Sequence, residues 1–196
     1  MACAICGFKH HCLCEQFPSF EHPIQVALLC HPNELKRATN TGKLLLNALP
    51  NASQFLWSRT EPDPELLALI ASHPNPVLLF PSEHSQPLEP YSARQNTSPS
   101  LAPRLYVVLD ATWQEAKKMW RQSPWLQALP QYHLLPSCVS SYSLRRNQSD
   151  GNLCTCEVGI ELMRLEGLET QADQLTEFLN YYLQVYQADR SGHSLI

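Results

Sequence analysis

The first residues of the chain contain four closely spaced cysteines that could bind a metal ion. Their spacing is C-x2-C-x5-C-x-C, with Gly7 beside the second cysteine. Zinc takes four ligands in a tetrahedron, and glycine allows the tight backbone that such a site needs. His10 or His11 is an alternative ligand because the closing C-x-C pair is uncommon. The pattern predicts one structural zinc ion, bound by Cys3, Cys6, Cys12 and Cys14. The alternative is a frayed N-terminal segment whose thiols bind no metal.

A second candidate site is the segment Leu-Asp-Ala-Thr-Trp at the end of a strand-like apolar run. Thr112 followed by Glu115 is the pattern of a capping box, which places Trp113 at the first position of a helix. Asp110 then lies between the carboxyl end of a strand and a helix N-terminus, where open α/β sheets bind ligands and free amides attract anions. In the alternative reading, Asp110 and Thr112 are simple caps and Trp113 belongs to the core.

A polar segment with basic residues, 31–43, follows the first strand-like run. Its sequence is HPNELKRATNTGK, which contains the turn formers at residues 40–42 and concentrates positive charge in an otherwise acidic chain. Since it follows a strand of the same predicted sheet, we expect it at the same edge as Asp110, facing a ligand; a solvated loop is the alternative. The predicted RNA contacts in this segment are Lys36, Arg37, Asn40, Thr41 and Lys43.

The fourth candidate region contains two arginines and, further along the chain, the start of a helix that is rich in cysteine. Arg145 and Arg146 could hold a carboxylate or a phosphate, and they complete the predicted RNA patch. Cys154 and Cys156 could bind a metal, but a pair of thiols is weak support, and we interpret them as packing residues.

The apolar pattern predicts an α/β fold with a mostly parallel sheet and helices on both faces. Short apolar runs predict buried strands, and stretches with helical spacing separate them. A loop is predicted over residues 81–104, and a break between helices at Gly167. We expect a zinc knuckle over residues 1–22 and an α/β domain over residues 23–196. The predicted strands are Ile24–Cys30, Val77–Phe80, Leu105–Leu109 and Tyr132–Leu135, and the predicted helices are Thr41–Leu49, Pro64–Ser72, Thr112–Arg121, Cys156–Leu165 and Gln174–Gln187.

Composition excludes several classes of protein. The chain has 196 residues, of which 44% are hydrophobic and 16% charged, which is typical of a folded domain and not of a disordered chain. A formal net charge of −4 excludes a protein that binds nucleic acid through overall charge. No run approaches the roughly 20 apolar residues that span a bilayer, and the first residues do not resemble a signal peptide. Eight cysteines in such a chain predict reduced thiols or metal ligands, and hence a cytoplasmic protein without membrane association.

Taken in order, these segments resemble the DTW-domain family, which is named for the Asp-x-Thr-Trp found here at residues 110–113. The resemblance includes the four cysteines, the stretch HPNELKRATNTGKLLL and the closing Leu-Arg…Leu-x-Thr-x-Glu, so it covers nearly the whole chain. It implies a tRNA-uridine aminocarboxypropyltransferase, which moves the 3-amino-3-carboxypropyl group of S-adenosylmethionine to N3 of a uridine in tRNA. It also implies a SPOUT-like fold, in which the chain can be knotted.

The resemblance also implies roles for individual residues. Asp110 would be the base or would position the substrate, Thr112 would fix the loop or touch the cofactor, and Trp113 would stack on the uracil. Where the family usually reads Leu-Ser-Thr-x-Glu-Ala, this chain reads Leu-Cys-Thr-Cys-Glu-Val, so the donor at position 154 is weaker. The implied S-adenosylmethionine contacts are Leu109, Asp110, Leu134, Leu135, Pro136, Tyr142, Arg145, Leu153, Cys154, Thr155 and Glu157.

Two other functions remain open from the sequence. An RNA methyltransferase of the same fold would use the same pocket and present the methyl carbon of the cofactor instead. A non-catalytic RNA-binding module with a zinc knuckle would bind no S-adenosylmethionine. The sequence does not indicate which tRNAs would be modified or whether the chain forms oligomers.

Overall fold

One sheet of six parallel strands forms the centre of the described part of the molecule. The computed structural model describes residue 3 and residues 6–22, 24–97, 102–135 and 153–192. The strands are β1 (Gln25–Cys30), β2 (Ala52–Leu56), β3 (Pro76–Leu79), β4 (Gln86–Pro87), β5 (Leu105–Asp110) and β6 (Gln131–His133). Their order across the sheet is β2-β1-β5-β3-β6-β4, and all pairings are parallel. All six strands therefore end at the same edge, the carboxyl edge.

Strand β5 lies between β1 and β3, although β1 and β3 precede it in the chain. Cys30, the last residue of β1, pairs with Asp110, the last residue of β5. The residues that follow β1 and β5 are thus neighbours at the carboxyl edge. This arrangement positions the candidate site.

In the part of the chain that the structure describes, seven α-helices connect and flank the strands. Several begin with a residue whose side chain satisfies free backbone amides; Asp63 accepts from the amide of Glu65 at 2.9 Å, for example. None of the described helices is both long and apolar enough to cross a membrane. The helices are α1 (Gly42–Ala48), α2 (Pro64–Ser72), α3 (Tyr91–Thr97), α4 (Trp113–Arg121), α5 (Pro124–Gln127), α6 (Thr155–Leu165) and α7 (Glu169–Ser191).

The sheet separates two hydrophobic cores, as expected for a parallel sheet covered on both faces. Alternate residues of each central strand point to opposite faces: Leu28 belongs to the larger core and Leu29 to the smaller one. The larger core includes residues of α1, α6 and α7, and the smaller one residues of α2, α4 and α5. The predicted α/β fold with helices on both faces is confirmed.

The N-terminal segment shares the larger core. Phe8 is buried there, with its ring centroid 5.3 Å from that of Tyr182 and 6.3 Å from that of Tyr186 on α7. Asp189, also on α7, accepts hydrogen bonds from the backbone amides of Lys9 at 3.0 Å and His10 at 2.7 Å. Residues 8–10 are therefore held against the last described helix.

The structure corrects several expectations. The loop predicted over residues 81–104 contains β4 and α3, so that prediction is wrong. Strand β2 was not predicted, because its sequence is polar; it lies at the edge of the sheet, and only Phe55 in it is buried. Strand β6 begins and ends earlier than the apolar run suggested, and this leaves Leu135 69% exposed. The break at Gly167 is confirmed, with a φ of +80° that favours glycine.

Candidate active site and metal centre

Four thiols converge in the N-terminal segment. The Sγ–Sγ distances are 3.4 Å for Cys3–Cys14, 3.9 Å for Cys6–Cys12 and 3.7 Å for Cys12–Cys3. A tetrahedral zinc ion with Zn–S bonds of about 2.3 Å separates its sulfur atoms by roughly 3.8 Å. All four sulfur atoms lie within 4.8 Å of one another, and no histidine belongs to this group within the part of the chain that the structure describes. The donor set fits a zinc ion.

The candidate active site is centred on the buried carboxylate of Asp110, at the end of β5. Asp110 is 1% exposed. Its Oδ2 accepts a hydrogen bond from Nδ2 of Asn40 at 2.8 Å, and its Oδ1 accepts one from Oγ1 of Thr155 at 2.7 Å. The carboxylate thereby joins the start of α1, the start of α6 and the end of β5.

Gly42 explains how α1 approaches this carboxylate so closely. A Cβ atom at position 42 would lie 2.6 Å from Oδ2 of Asp110 and 2.9 Å from its Cγ. Real Cβ atoms do not come this close to other heavy atoms. Position 42 therefore requires glycine because the Asp110 carboxylate occupies the space of a side chain.

The start of α6 is held by its neighbours as well as by Asp110. The amide of Cys156 donates to Oγ1 of Thr41 at 3.3 Å, and the amide of Cys154 donates to Oε2 of Glu157 at 2.8 Å. Asn40 in turn accepts the amide of Lys43 at 3.2 Å. Asn40, Thr41 and Glu157, predicted as RNA or cofactor contacts, thus organise the protein itself.

A second hydrogen-bonded group lies on the other side of Asp110, around Glu115 of α4. The capping box predicted from the sequence is confirmed: Thr112 Oγ1 accepts the amide of Glu115 at 3.3 Å, and Glu115 Oε2 accepts the amide of Thr112 at 3.0 Å. Arg37 binds Glu115 with two hydrogen bonds, at 2.8 and 2.9 Å, and also pairs with Glu34. The Arg37 hydrogen bonds hold the pKa of the Glu115 carboxyl well below its usual range.

His31 is a residue of this group that sequence reasoning did not single out. Its ring stacks on that of Trp57, with the ring centroids 5.5 Å apart, and its Nδ1 accepts a hydrogen bond from the backbone amide of Asn33 at 3.2 Å. Burial lowers its pKa, so the ring is neutral near pH 7. Only its position directly after β1 could have indicated its part in the site.

Trp113 is half-buried and does not belong to either hydrophobic core of the described residues. It is the first residue of α4 and follows Thr112 at the carboxyl edge. A core role for Trp113 therefore lacks support in the described part of the chain. An indole partly open to solvent at this edge can stack on a ligand.

The other predicted contacts are distributed unevenly. Lys36 is exposed, whereas Lys43 is half-buried with its Nζ 5.3 Å from the ring centroid of Tyr182, and burial lowers the pKa of its ammonium. Leu109 packs against the smaller core; Leu134 and Cys154 pack against the larger one, and Leu153 is half-buried. The predicted contacts that lie outside the described residues are Pro136, Tyr142, Arg145 and Arg146.

Comparison with known proteins agrees with the resemblance. Three relatives, each named tRNA-uridine aminocarboxypropyltransferase 2, match 74% of this chain. The protein from Drosophila melanogaster is 30% identical over 158 residues, and the proteins from Macaca fascicularis and Mus musculus are 26% and 25% identical over 157 and 153 residues. The aligned part is 59% of the first relative and 49% of the other two, so the chain spans about half the length of these proteins.

No solved structure matches the chain. The DTW domain, in contrast, matches residues 1–187, a range that begins before the four cysteines and ends within α7. It includes the turn at residues 110–113 and every described residue that binds Asp110 or Glu115. The chain belongs to the DTW-domain family.

Proposed function

We propose that this chain transfers the 3-amino-3-carboxypropyl group of S-adenosylmethionine to N3 of a uridine in tRNA and releases methylthioadenosine. The supporting observation is the buried Asp110 carboxylate, which joins the Asp-x-Thr-Trp turn to the starts of α1 and α6 at the carboxyl edge. Ligands of open α/β sheets bind at this edge. Three relatives that match this chain are named tRNA-uridine aminocarboxypropyltransferase 2.

The reaction is a displacement at one carbon. A bond forms between N3 of uracil and the γ-carbon of the methionine moiety, and the bond from that carbon to sulfur breaks. The electron pair of the broken bond passes to the sulfonium sulfur, and the imide proton passes to a base or to water. Alignment of the two reactants can supply about 7–11 kcal/mol of the barrier reduction.

Asp110 contributes to this reaction by positioning. Both of its carboxylate oxygens already accept a hydrogen bond, and the side chain is 1% exposed. A base must lie within hydrogen-bond reach of the proton that it takes. Because the uracil would have to displace Asn40 or Thr155 to reach this carboxylate, we assign Asp110 to fixing the pocket walls instead of to direct proton transfer.

Apolar residues beyond β6 and before α6 provide a surface for the adenosine part of the cofactor. Leu135, two residues after the end of β6, is 69% exposed, so its apolar side chain is available to a flat ring. Leu134 and Leu153 flank the same strand end and helix start in the chain. S-adenosylmethionine, when bound, supplies an electrophilic carbon next to its sulfonium. The SPOUT-like fold, in which the chain can be knotted, also belongs to this proposal and rests on the family resemblance.

The RNA would approach the carboxyl edge from the side of α4. Lys36 is exposed beyond β1, and α4 exposes Lys117, Lys118 and Arg121. These side chains can bind phosphates even though the net charge of the chain is negative. Trp113 would stack on the target uracil, which is worth roughly 1–3 kcal/mol.

The cysteine cluster would hold one structural zinc ion that stabilises the N-terminal segment against α7. Four thiolate ligands close the coordination sphere and leave no position for a substrate. Thiols that serve as metal ligands suit a reducing compartment such as the cytoplasm.

The proposal is tested by incubating the purified chain with S-adenosylmethionine and unmodified tRNA and identifying both products by mass spectrometry. We expect methylthioadenosine and a uridine that carries the aminocarboxypropyl group. S-adenosylhomocysteine with a methylated base would instead show a methyltransferase. Binding of tRNA without either small product would show a non-catalytic RNA-binding module.

A further inference from the structure

The Glu115 carboxylate receives more hydrogen bonds than a helix cap requires. Oε1 accepts from Nη2 of Arg37 at 2.9 Å and from Nδ2 of Asn33 at 3.0 Å. Oε2 accepts from Nη1 of Arg37 at 2.8 Å, and from the amide and Oγ1 of Thr112 at 3.0 and 2.7 Å. A capping box needs only one of these five bonds.

These bonds connect two loops that are far apart in the chain. Asn33 and Arg37 belong to the loop after β1, whereas Thr112 belongs to the loop after β5. The two strands are neighbours in the sheet, and their last residues pair with each other. The Glu115 carboxylate is thus a bridge that fixes the β1 loop to the turn carrying Thr112 and Trp113.

Arg37 is the cation of this bridge and is not free for a phosphate. Its two bonds to Glu115 have the parallel geometry that suits a guanidinium and a carboxylate, and it also pairs with Glu34, which is 1% exposed. The Arg37 side chain is 31% exposed and the Glu115 side chain 16% exposed, so the pair is partly shielded from water. Lys36, the preceding residue, is exposed instead.

We propose that Arg37 is a positioning residue that acts through Glu115 on the Thr112–Trp113 turn and does not bind RNA. The expected consequences for activity rest on the proposed transfer function. A lysine at position 37 keeps the charge but cannot make the two parallel bonds. Loss of the bridge would let the turn shift against Asp110, and a misplacement of about 1 Å can lower turnover by about 10²-fold.

The test compares Arg37→Gln, Arg37→Lys, Glu115→Gln and the Arg37→Gln/Glu115→Gln double variant with Lys36→Gln. The measurements are the salt dependence of tRNA binding, kcat, KM for S-adenosylmethionine and the melting temperature. For Arg37→Gln we expect kcat to fall about 10- to 100-fold, with KM and the salt dependence unchanged, and partial recovery in Arg37→Lys. The kcat of the double variant should fall no further than that of the more damaging single variant.

Lys36→Gln serves as the control for an RNA contact. It should lower the slope of log K against log salt by roughly 0.7–0.9, the value for one phosphate contact. The proposal is overturned if Arg37→Gln lowers that slope, if its kcat equals that of wild type, or if the losses of the two single variants add. If the wild type transfers no group, the proposed function fails, while the salt slopes and a double-mutant cycle on the melting temperature still decide where Arg37 binds.

Discussion

The contact between Gly42 and Asp110 offers a sharp test of how the site is built. Replacing Gly42 with alanine would place a Cβ atom 2.6 Å from Oδ2 and 3.1 Å from Oδ1 of Asp110. Ordinary contacts of a Cβ atom begin near 3.4 Å, so the carboxylate and the start of α1 must separate by roughly 0.8 Å. The hydrogen bond from Asn40 to Oδ2 would stretch or break.

Two opposing effects set the magnitude for stability. Overpacking a filled site costs about 1–3 kcal/mol, whereas alanine is favoured over glycine in a helix by about 1 kcal/mol. We therefore expect a net loss of about 0–2 kcal/mol and a melting temperature lowered by no more than roughly 8 °C. Because the shift acts directly on Asp110, turnover should fall much further, by about 10- to 100-fold.

Gly159→Ala is the matched control for Gly42→Ala. Its added Cβ would lie 2.2 Å from Cδ1 of Leu45, so it also strains the packing of α1 against α6, but it meets an apolar side chain instead of Asp110. Thermal unfolding should show lower stability for both variants, whereas turnover should fall steeply only in Gly42→Ala. A Gly42→Ala variant with turnover within about twofold of wild type would refute the positioning role of Asp110.

The remaining predictions concern other parts of the site. Thr155→Val removes the donor to Oδ1 of Asp110 and should cost about 1–3 kcal/mol in chemical denaturation; an unchanged stability would contradict the hydrogen bond. Trp113→Phe should weaken tRNA turnover with an unchanged melting temperature, and a large drop in that temperature would indicate a core role. Cys12→Ser should abolish stoichiometric zinc in metal analysis and loosen the N-terminal segment, while the sheet stays folded; full zinc retention would exclude Cys12 as a ligand. The pKa of Glu115 is lower in the folded protein than in the unfolded chain. The ion pair with Arg37 therefore stabilises the fold fully above the unfolded pKa near 4.3, and this stabilisation is lost as the pH falls through the folded pKa. The stability gap between wild type and Glu115→Gln should therefore shrink below about pH 4, and a constant gap would contradict the ion pair.

The central strands and the Asp110–Trp113 turn could be predicted because their signals are local. The apolar run of β5 and the spacing of Thr112 and Glu115 each follow from a short stretch of chain. The four cysteines form their cluster within 12 residues, so their spacing was sufficient as well. Strand β2 was not predicted because it lies at the edge of the sheet and only one of its residues, Phe55, is buried. Its sequence therefore lacks the alternation of apolar and polar residues that predicts a strand.

The partners of Arg37 and Asp110 could not be predicted because they are distant in sequence. Arg37 and Glu115 are 78 residues apart, and Asp110 and Asn40 are 70 residues apart. A basic residue in a polar loop looks like a surface charge until the sheet order brings β1 beside β5. For the same reason, Asn40 and Thr41 looked like exposed turn formers, although both are buried.

We propose that this chain transfers the aminocarboxypropyl group of S-adenosylmethionine and not its methyl group. The most direct measurement uses two preparations of S-adenosylmethionine, one labelled in the methyl carbon and one in the aminocarboxypropyl chain, each incubated with the chain and unmodified tRNA. We expect only the aminocarboxypropyl label to enter the tRNA, while the methyl label stays in methylthioadenosine. Methyl label in the tRNA, or no label from either preparation while tRNA is bound, would refute the proposed transfer.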